Sequence, residues 1–509
     1  MNLSLALILQ LCIILPACAS LVIAATGSKP NLRETMTIVF GLALFYCVTL
    51  LYQAVIAGKI VSVIWLELFP GLQISFTIEP LGVLFALVAS FLWIVTSIYA
   101  IGYMRGHHEK KQTRFYVCFA IAIASVMGVA LSANLFTLLI FYEVLTLSTY
   151  PLVTHAGTEK AKKGGRTYLG ILLSTSIVFL LLAVVLTWSV AGTLDFKAGG
   201  IFDRNVDSLV VGVLLVLFVF GIGKAAIMPF HRWLPAAMVA PTPVSALLHA
   251  VAVVKAGVFT VLKICVFIFG IDLLAVLPTT QFLLYLGGAS VLLASLVAIR
   301  QDNLKARLAY STVSQLGYVT IGALLATSSG VIGSSMHIAM HAFGKITLFF
   351  CAGAILVAAN KSKISEMRGI GLQMPITMAA FFIASLSIIG VPPTGGTWSK
   401  WYLLMGTLEA EQFILMAILM LSSLLNIGYL LPIAYHAFFP NFLDKNLLGN
   451  GQNLSSQNLT NLQIKEAPLA SLIAIGLSTL GCLVLFAYPQ PLFELSKAIL
   501  ETAVGGYGK

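Results

Sequence analysis

Residues 219–235 read VFGIGKAAIMPFHRWLP, and this stretch decides how the rest of the chain is interpreted. The residues just before it, 208–218, carry no charge, so Lys224 lies inside an apolar run that Pro229 and Pro235 then interrupt. Proline removes a backbone donor and breaks a helix. The stretch therefore predicts a discontinuous helix that holds a cation in apolar surroundings.

The composition identifies those surroundings as a lipid bilayer. Hydrophobic residues make up 59% of the 509 residues and charged residues only 9%, whereas a soluble domain carries about 25% charged residues. The net charge of +11 does not indicate nucleic-acid binding, because the basic residues are scattered through short loops between apolar runs. The seven cysteines occur singly in apolar segments, which favours small buried side chains. The chain is predicted to be an integral membrane protein.

A membrane span needs about 20 mostly apolar residues, and backbone polar groups in lipid must be satisfied within a helix. The sequence therefore predicts an all-α integral membrane protein with about fourteen transmembrane helices. No Lys or Arg precedes Cys18, so the first span is interpreted as retained rather than cleaved as a signal peptide. The predicted spans are roughly 3–25, 34–57, 79–104, 115–132, 134–154, 167–192, 207–231, 240–269, 280–299, 308–327, 331–358, 376–408, 413–439 and 468–490.

Most of the lysines and arginines fall in the connections that follow odd-numbered spans. Cytoplasmic loops carry such an excess of basic residues. The pattern predicts a multi-pass protein of the cell inner (cytoplasmic) membrane with both termini on the non-cytoplasmic side. The polar segment 441–465 is then predicted to be a cytoplasmic linker.

A second interruption resembles the first. Residues 390–401 read GVPPTGGTWSKW, so a proline and glycine break precedes Lys400 as another accompanies Lys224. The two breaks lie five predicted spans apart, and an odd separation makes the two helices run in opposite directions. Inverted repeats with broken helices mark transport sites. The predicted organisation is N-terminal helices 1–106, a first inverted repeat 107–270, a second inverted repeat 271–440, a linker 441–467 and a C-terminal helix 468–509.

Several ionisable residues lie inside the predicted spans, where a central charge costs about 2.5–3.5 kcal/mol. Glu143 is short and central, so pairing, water-filled cavities or a transport role must offset its burial. Lys263 lies late in its span, where the favoured interpretation is a structural, snorkelling lysine. The other lysines predicted inside spans are Lys224, Lys255, Lys345 and Lys400.

His337, His341 and Lys345 follow one another at intervals of four residues and so project from one helical face. Histidine titrates near neutral pH, and a lysine in apolar surroundings binds its proton less tightly. This row predicts a proton relay. Zinc binding by the two histidines is the competing interpretation, but Cys351 lies about 15 Å further along the axis and no carboxylate lies in the same or adjoining spans, so no metal site is predicted. His249 is equally well explained as a core histidine.

At these residues the chain resembles a known family. It is similar to the antiporter-like membrane subunits shared by respiratory complex I (NADH:quinone oxidoreductase) and the Mrp-type multi-subunit Na⁺/H⁺ antiporters, over about residues 79–440, and it looks closest to the Mrp D-type subunit. The stretches that carry the resemblance are IFYEVLTLSTYPLVTH (140–155), GKAAIMPFHRWLPAAMVAPTPVSALLHAVAVVKAG (223–257), DNLKARLAYSTVSQLGY (302–318), HIAMHAFGKITLFF (337–350) and GVPPTGGTWSKW (390–401).

The resemblance implies roles for matched positions. Glu143 matches the fifth-span glutamate that pairs with the seventh-span lysine, Lys224. Many complex I subunits of one type have a glutamate where Lys400 stands, so lysine here favours the Mrp-like or a different complex I-like class. The residues that the resemblance assigns to proton translocation are Glu143, Lys224, His249, Lys255, His337, His341, Lys345 and Lys400.

The function predicted from the sequence is a proton-translocating subunit of a multi-subunit monovalent cation/proton (Na⁺/H⁺) antiporter. Its expected partners are other antiporter-like and small membrane subunits, the bilayer, H⁺ and either Na⁺ or K⁺. The alternative is a proton-pumping membrane subunit of a complex I-like oxidoreductase or of a membrane-bound hydrogenase or formate-linked complex, and a passive scaffold is a third interpretation. The sequence has no GxGxxG after a strand, no cysteine cluster and no Walker A motif. No cofactor is therefore expected in this chain, and the sequence leaves open whether the parent complex is an enzyme and which ion is exchanged.

Overall fold

The computed structural model describes residues 4–203, 206–439 and 464–503, and helices make up most of them. The predicted linker lies mainly outside the described residues. The helices of fourteen or more residues in this part of the chain are α1 (Leu5–Ala25), α2 (Pro30–Ile56), α3 (Pro80–Gly106), α4 (Gln112–Ala130), α5 (Leu135–Val153), α6 (Glu159–Ala191), α7 (Ser208–Gly221), α8 (Thr242–Phe269), α9 (Pro278–Ile299), α10 (Leu304–Leu324), α11 (Ser328–Ala359), α12 (Pro375–Ile389), α13 (Gly396–Glu409), α14 (Phe413–Phe438), α15 (Leu469–Ala487) and α16 (Gln490–Ala503).

The prediction of an all-α membrane protein is confirmed. Within the described residues, eleven helices are long and apolar enough to cross a membrane. α7 and α12 are apolar but shorter, because each ends at one of the predicted interruptions. α10 has the length of a span but a lower mean hydropathy than the eleven.

The first interruption separates α7 from α8. α7 ends at Gly221, a single 3₁₀ turn covers Gly223–Ala225, and a short helix follows at Trp233–Ala236. The indole nitrogen of Trp233 donates a hydrogen bond to the backbone oxygen of Gly223 at 2.9 Å. That carbonyl also accepts from the backbone nitrogen of Ala226 at 3.0 Å, so the indole is a second donor that ties the short helix to the turn.

Glycine allows α8 to pack directly on this break. A Cβ atom on Gly257 would lie 2.3 Å from the backbone carbonyl carbon of Lys224, closer than any real contact. The second interruption is built similarly, since a Cβ atom on Gly396 at the start of α13 would lie 1.8 Å from the backbone oxygen of Ser387 in α12. Both broken regions are therefore held by close backbone contacts.

The structure adds two elements that the sequence analysis did not predict. Strands β1 (Ser62–Phe69) and β2 (Leu72–Thr77) form an antiparallel hairpin between α2 and α3. Its turn, Pro70-Gly71, places Gly71 at φ +84°, a conformation that favours glycine. The second element is α16, an amphipathic helix whose Ser496 accepts a hydrogen bond from Ser335 of α11 at 2.8 Å.

Two of the membrane helices contain π-helical turns. One lies in α6 at Ser176–Leu180, and two lie in α8 at Leu247–Val251 and Cys265–Phe269. Such turns are rare and occur frequently at functional sites. The first π-helical turn of α8 contains His249, one of the predicted site residues.

Candidate functional site

Lys224 is fully buried in the turn that follows α7. Its ammonium donates to the backbone oxygen of Tyr142 at 2.8 Å and to Thr146 Oγ1 at 2.6 Å, and it lies 3.1 Å from the centroid of the Tyr142 ring. The ring face is electron-rich and attracts a cation. α5 thus supplies the ammonium with a carbonyl, a hydroxyl and a ring face.

Glu143 lies on α5 next to Tyr142, and both its carboxylate oxygens are buried without a hydrogen-bond partner among the described residues. The predicted ion pair between Glu143 and Lys224 is not formed in this structure: the lysine donates to Tyr142 and Thr146, and the carboxylate is an electrostatic neighbour outside ion-pair distance. We call this arrangement, with the carboxylate and the ammonium unpaired, open.

The shortest contact between two predicted relay residues joins α8 to α11. Lys255 Nζ lies 2.6 Å from His341 Nδ1, and both side chains are buried. This distance permits direct transfer of a proton between the amine and the imidazole ring. The other ring nitrogen of His341 has no partner among the described residues.

His337 extends the row towards the second broken helix. Its ring stacks on that of His341, with centroids 5.5 Å apart and planes 7° from parallel. His337 Nδ1 lies 2.9 Å from the hydroxyl oxygen of Ser399, the residue that precedes Lys400. The ammonium of Lys400 lies 4.7 Å from the centroid of the Tyr318 ring. The row therefore reaches the lysine of the second break.

Lys400 and Lys345 both donate to hydroxyl groups. Lys400 Nζ donates to Ser423 Oγ at 3.0 Å and to the backbone oxygen of Ile389 at 3.0 Å. Lys345 Nζ donates to Ser311 Oγ at 2.6 Å. Neither lysine forms an ion pair within the described residues. A hydroxyl group can accept one hydrogen bond while it donates another, so it can pass a proton from one neighbour to the next.

His249 lies apart from the Lys255–His341 contact. It is buried, its ring centroid lies 4.6 Å from that of Phe349, and neither ring nitrogen has a partner among the described residues. Lys345 is an electrostatic neighbour. The structure thus places His249 near the relay lysines without a direct hydrogen bond to them.

The prediction that Lys263 is a snorkelling lysine is wrong. Its side chain is fully buried and its ammonium lies 2.6 Å from Glu79 Oε1. The ammonium also donates to the backbone oxygen of Ser132 at 2.6 Å and lies 4.3 Å from the Phe196 ring centroid. Sequence reasoning missed the partner because Glu79 precedes α3, far from Lys263 along the chain.

Sequence reasoning also missed the hydroxyl groups that bind the lysines. A signal was present in α10, where polar residues recur every three or four positions within an apolar helix. Single serines in membrane helices also bond their own backbone, so the pattern alone did not identify them. The hydroxyl groups that bind lysines belong to Thr146, Ser311 and Ser423. Ser399 binds His337, and Tyr142 and Tyr318 place their rings beside Lys224 and Lys400.

The site is therefore a row of buried lysines and histidines held in a helical membrane bundle with two broken helices. A family model described as "NADH:quinone oxidoreductase/Mrp antiporter, TM" matches residues 132–426. A second, described as "NADH-Ubiquinone oxidoreductase (complex I), chain 5 N-terminus", matches residues 65–116. The chain belongs to this family of antiporter-like membrane subunits, as the sequence resemblance predicted.

Relatives and solved structures agree on the family. The chain is 36% identical over 373 residues to NADH-quinone oxidoreductase subunit N of Desulforudis audaxviator, with 72% of this chain and 74% of that protein covered. It is 30% identical over 407 residues to the chloroplast NAD(P)H-quinone oxidoreductase subunit 5 of Ipomoea purpurea, with 75% of this chain covered. The match spans only 56% of the length of the Ipomoea protein.

Two solved structures share the fold. A chain of the Mrp complex from Dietzia sp. DQ12-45-1b superposes with a TM-score of 0.84 at 23% identity and covers 100% of both chains. A chain of the membrane-bound sulfane sulfur reductase, an archaeal respiratory membrane complex, superposes with a TM-score of 0.84 at 22% identity, covering 98% of this chain and 99% of that chain. Both neighbours belong to membrane complexes. The D-type assignment and the orientation of the termini stay predictions.

Proposed function

We propose that this chain is the proton-translocating subunit of a multi-subunit monovalent cation/proton antiporter of the Mrp type, in the D-type position. The observation that carries the proposal is the contact between Lys255 and His341, which joins two titratable groups in the buried interior at 2.6 Å. Intramembrane ionisable groups are costly and usually functional.

The proposed path runs along the row of buried groups. A proton on Lys255 passes to His341 Nδ1, and the imidazole releases a proton from its other nitrogen. The stacked His337 receives it through a water molecule, because no hydrogen bond joins the two rings. His337 then passes its Nδ1 proton to the hydroxyl oxygen of Ser399, whose own proton moves through a second water molecule to the neutral amine of Lys400. Every step moves one proton between a nitrogen or oxygen donor and an acceptor, so no redox partner is required.

Glu143 and Lys224 act as the control pair in this proposal. When the carboxylate approaches the ammonium, the cation is stabilised and the lysine keeps its proton. In the open arrangement the ammonium depends on neutral groups of Tyr142 and Thr146, so release of the proton is easier. Opening and closing of the pair would then set when Lys224 passes its proton towards Lys255.

A second candidate function is favoured by the relatives. The two curated proteins described above are quinone oxidoreductase subunits, so the same relay can serve a redox-driven pump whose cofactors reside on partner subunits. Purifying the complex and identifying its partners by mass spectrometry separates the two candidates. Partners that carry iron–sulfur or quinone sites favour the pump, and short membrane partners alone favour the antiporter.

The proposal is tested with Glu143→Gln in the complete complex, in inverted membrane vesicles. The substitution keeps the shape of the side chain and removes its charge. We expect cation-dependent proton movement to fall at least about tenfold, which corresponds to about 1.4 kcal/mol. The matched control is Glu501→Gln on α16, where the carboxylate is exposed and lies 3.9 Å from Lys497. Undiminished proton movement in Glu143→Gln, with a fully assembled complex, would refute the assignment.

A further inference from the structure

A cavity lies beside the first broken helix, on the side of the protein that the sequence predicts to be cytoplasmic. It has a volume of about 410 Å³ and is lined by Thr167 and Ile171 of α6 and by Arg232 and Ala236 of the segment between α7 and α8. Thr167 and Arg232 stand at the predicted cytoplasmic ends of the sixth and seventh spans. The cavity is therefore expected at the level where lipid headgroups meet the hydrocarbon core.

The elements around the cavity carry an excess of positive charge. Glu159 is the one carboxylate of α6, and it is already paired with Lys162, with 2.7 Å between Oε1 and Nζ. The segment 222–241 contains no acidic residue. The nearby basic residues that form no ion pair within the described part of the chain are Lys160, Lys163, Arg166 and Arg232. The surroundings of the cavity therefore attract an anion.

Helical spacing places one of these lysines on the same face as the cavity wall. Lys163, Thr167 and Ile171 follow one another at intervals of four residues, so they project from one face of α6. The hydroxyl of Thr167 donates to the backbone oxygen of Lys163 at 3.2 Å. From the membrane surface inward, this face therefore presents a cation, a hydroxyl group and then an apolar side chain.

Further into the membrane, α6 presents an uncovered apolar surface. A Cβ atom on Gly170 would have no neighbour within 4 Å, so no described residue covers the helix at that point. The large apolar side chains of α6 that are exposed are Ile177, Val178, Leu181, Leu182 and Val185. Cations at the headgroup level thus continue into a surface that suits a hydrocarbon chain.

This order of groups matches an anionic phospholipid. Basic pockets between membrane helices on the cytoplasmic side bind anionic headgroups. A free phosphate ion would use the cations alone, whereas a phospholipid uses the cations for its headgroup and covers the apolar face of α6 with an acyl chain. The occupant that fits both features is therefore a lipid.

Short contacts connect the cavity to the buried lysine of the first break. Arg232 immediately precedes Trp233, whose indole nitrogen donates to the backbone oxygen of Gly223, the residue before Lys224. The Trp233 ring also lies edge-on to the ring of Tyr168 on α6, with centroids 5.5 Å apart. A ligand bound between Arg232 and α6 would therefore hold the short helix, and with it the turn of Lys224, against α6.

We propose that this cavity binds the headgroup of an anionic phospholipid and that the bound lipid stabilises the turn that contains Lys224. Arg232 and Lys163 contact the phosphate, and one acyl chain lies along the exposed face of α6. The lipid site does not depend on the proposed function, whereas its effect on proton movement rests on that function.

The first test measures lipid binding without measuring transport. The complete complex is reconstituted into phosphatidylcholine vesicles that contain a minor fraction of photoactivatable phosphatidylglycerol. After illumination, peptide mass spectrometry quantifies the cross-links to residues 167–178. Arg232→Gln is compared with the native complex and with Arg300→Gln, which removes an exposed arginine on the same predicted side, away from the cavity.

We expect cross-linking to fall at least about tenfold in Arg232→Gln and to keep its native level in Arg300→Gln, because each basic residue adds to the attraction for an anionic headgroup. An excess of inorganic phosphate should leave the native cross-links in place. Equal cross-linking in Arg232→Gln and the native complex would overturn the lipid site. Loss of the native cross-links in inorganic phosphate would overturn it too, since the site would then bind a free anion.

The second test measures cation-driven proton uptake in proteoliposomes of dioleoylphosphatidylcholine, with and without dioleoylphosphatidylglycerol. We expect phosphatidylglycerol to raise uptake in the native complex and in Arg300→Gln, and to raise it far less in a fully assembled Arg232→Gln complex. An equal rise in all three would overturn the effect on the turn of Lys224. Full proton movement in Glu143→Gln would reject the proposed function and would leave the cross-linking result unaffected.

Discussion

Replacing His341 in two different ways separates a proton carrier from a structural contact. His341→Gln keeps a hydrogen-bond acceptor for the ammonium of Lys255 but cannot carry a proton between two ring nitrogens. His341→Leu removes both properties. Within the described residues, the hydrogen bond of Lys255 Nζ is the one to His341, at 2.6 Å. A hydrogen bond to a charged group contributes about 1.5–3 kcal/mol.

The two variants therefore have different expected effects on stability and the same expected effect on transport. His341→Leu leaves the buried ammonium of Lys255 without its partner, and we expect the free energy of unfolding of this variant to fall by about 1.5–3 kcal/mol. We expect a smaller fall in the free energy of unfolding for His341→Gln. Proton movement is expected to fall about 10- to 100-fold in both variants, since each 1.4 kcal/mol is a factor of ten.

The assay is proton uptake by proteoliposomes that contain the complete complex, followed with a pH-sensitive dye after a cation gradient is imposed. Thermal unfolding of the purified complex in detergent reports stability in parallel. A His341→Gln variant with full transport would refute the relay role of this residue, because a hydrogen-bond acceptor alone would then be sufficient. Reduced transport in both variants, with near-native stability in His341→Gln, is the expected result.

Two further predictions concern the packing that holds the site. Lys263→Met leaves the carboxylate of Glu79 buried without its cation, so we expect the complex to lose about 3–5 kcal/mol of stability, measured by thermal unfolding. The double variant Lys263→Met with Glu79→Leu should recover most of that stability. If the double variant recovers none, the paired role of the two residues is contradicted. Gly257→Ala places a methyl group 2.3 Å from the backbone of Lys224, so we expect α8 to shift and both thermal stability and proton movement to fall. Native thermal stability and native proton movement in this variant would show that the contact is easily relieved.

The sequence was sufficient for the membrane class and for most helices because both follow from composition and from the length of apolar runs. Both broken helices were predicted from proline and glycine beside Lys224 and Lys400, and the structure has both. The hairpin was missed because β1 and β2 lie between two predicted spans and their apolar residues do not form a run long enough to cross a bilayer. α16 was not separated from the predicted C-terminal helix 468–509 because a short amphipathic helix has a weak signal in hydropathy.

The candidate site shows where sequence reasoning ends. The helical spacing of His337 and His341 was enough to place them on one face, since that depends only on local geometry. Contacts between segments that are distant along the chain could not be predicted from local helical geometry. The partner of Lys255 proved to be His341 on another helix, and the partner of Lys263 proved to be Glu79, 184 positions earlier in the sequence. Hydroxyl partners were missed for the same reason.

The most direct test of proton movement through the buried row is Lys255→Met in the purified, complete complex reconstituted into proteoliposomes. Methionine fills a similar volume and cannot hold a proton, so the bundle keeps its packing while the row is interrupted at its central contact with His341. We predict that cation-driven proton uptake is lost although the complex assembles with all its subunits. Proton uptake at the native rate in that assembled complex would contradict a path through these residues.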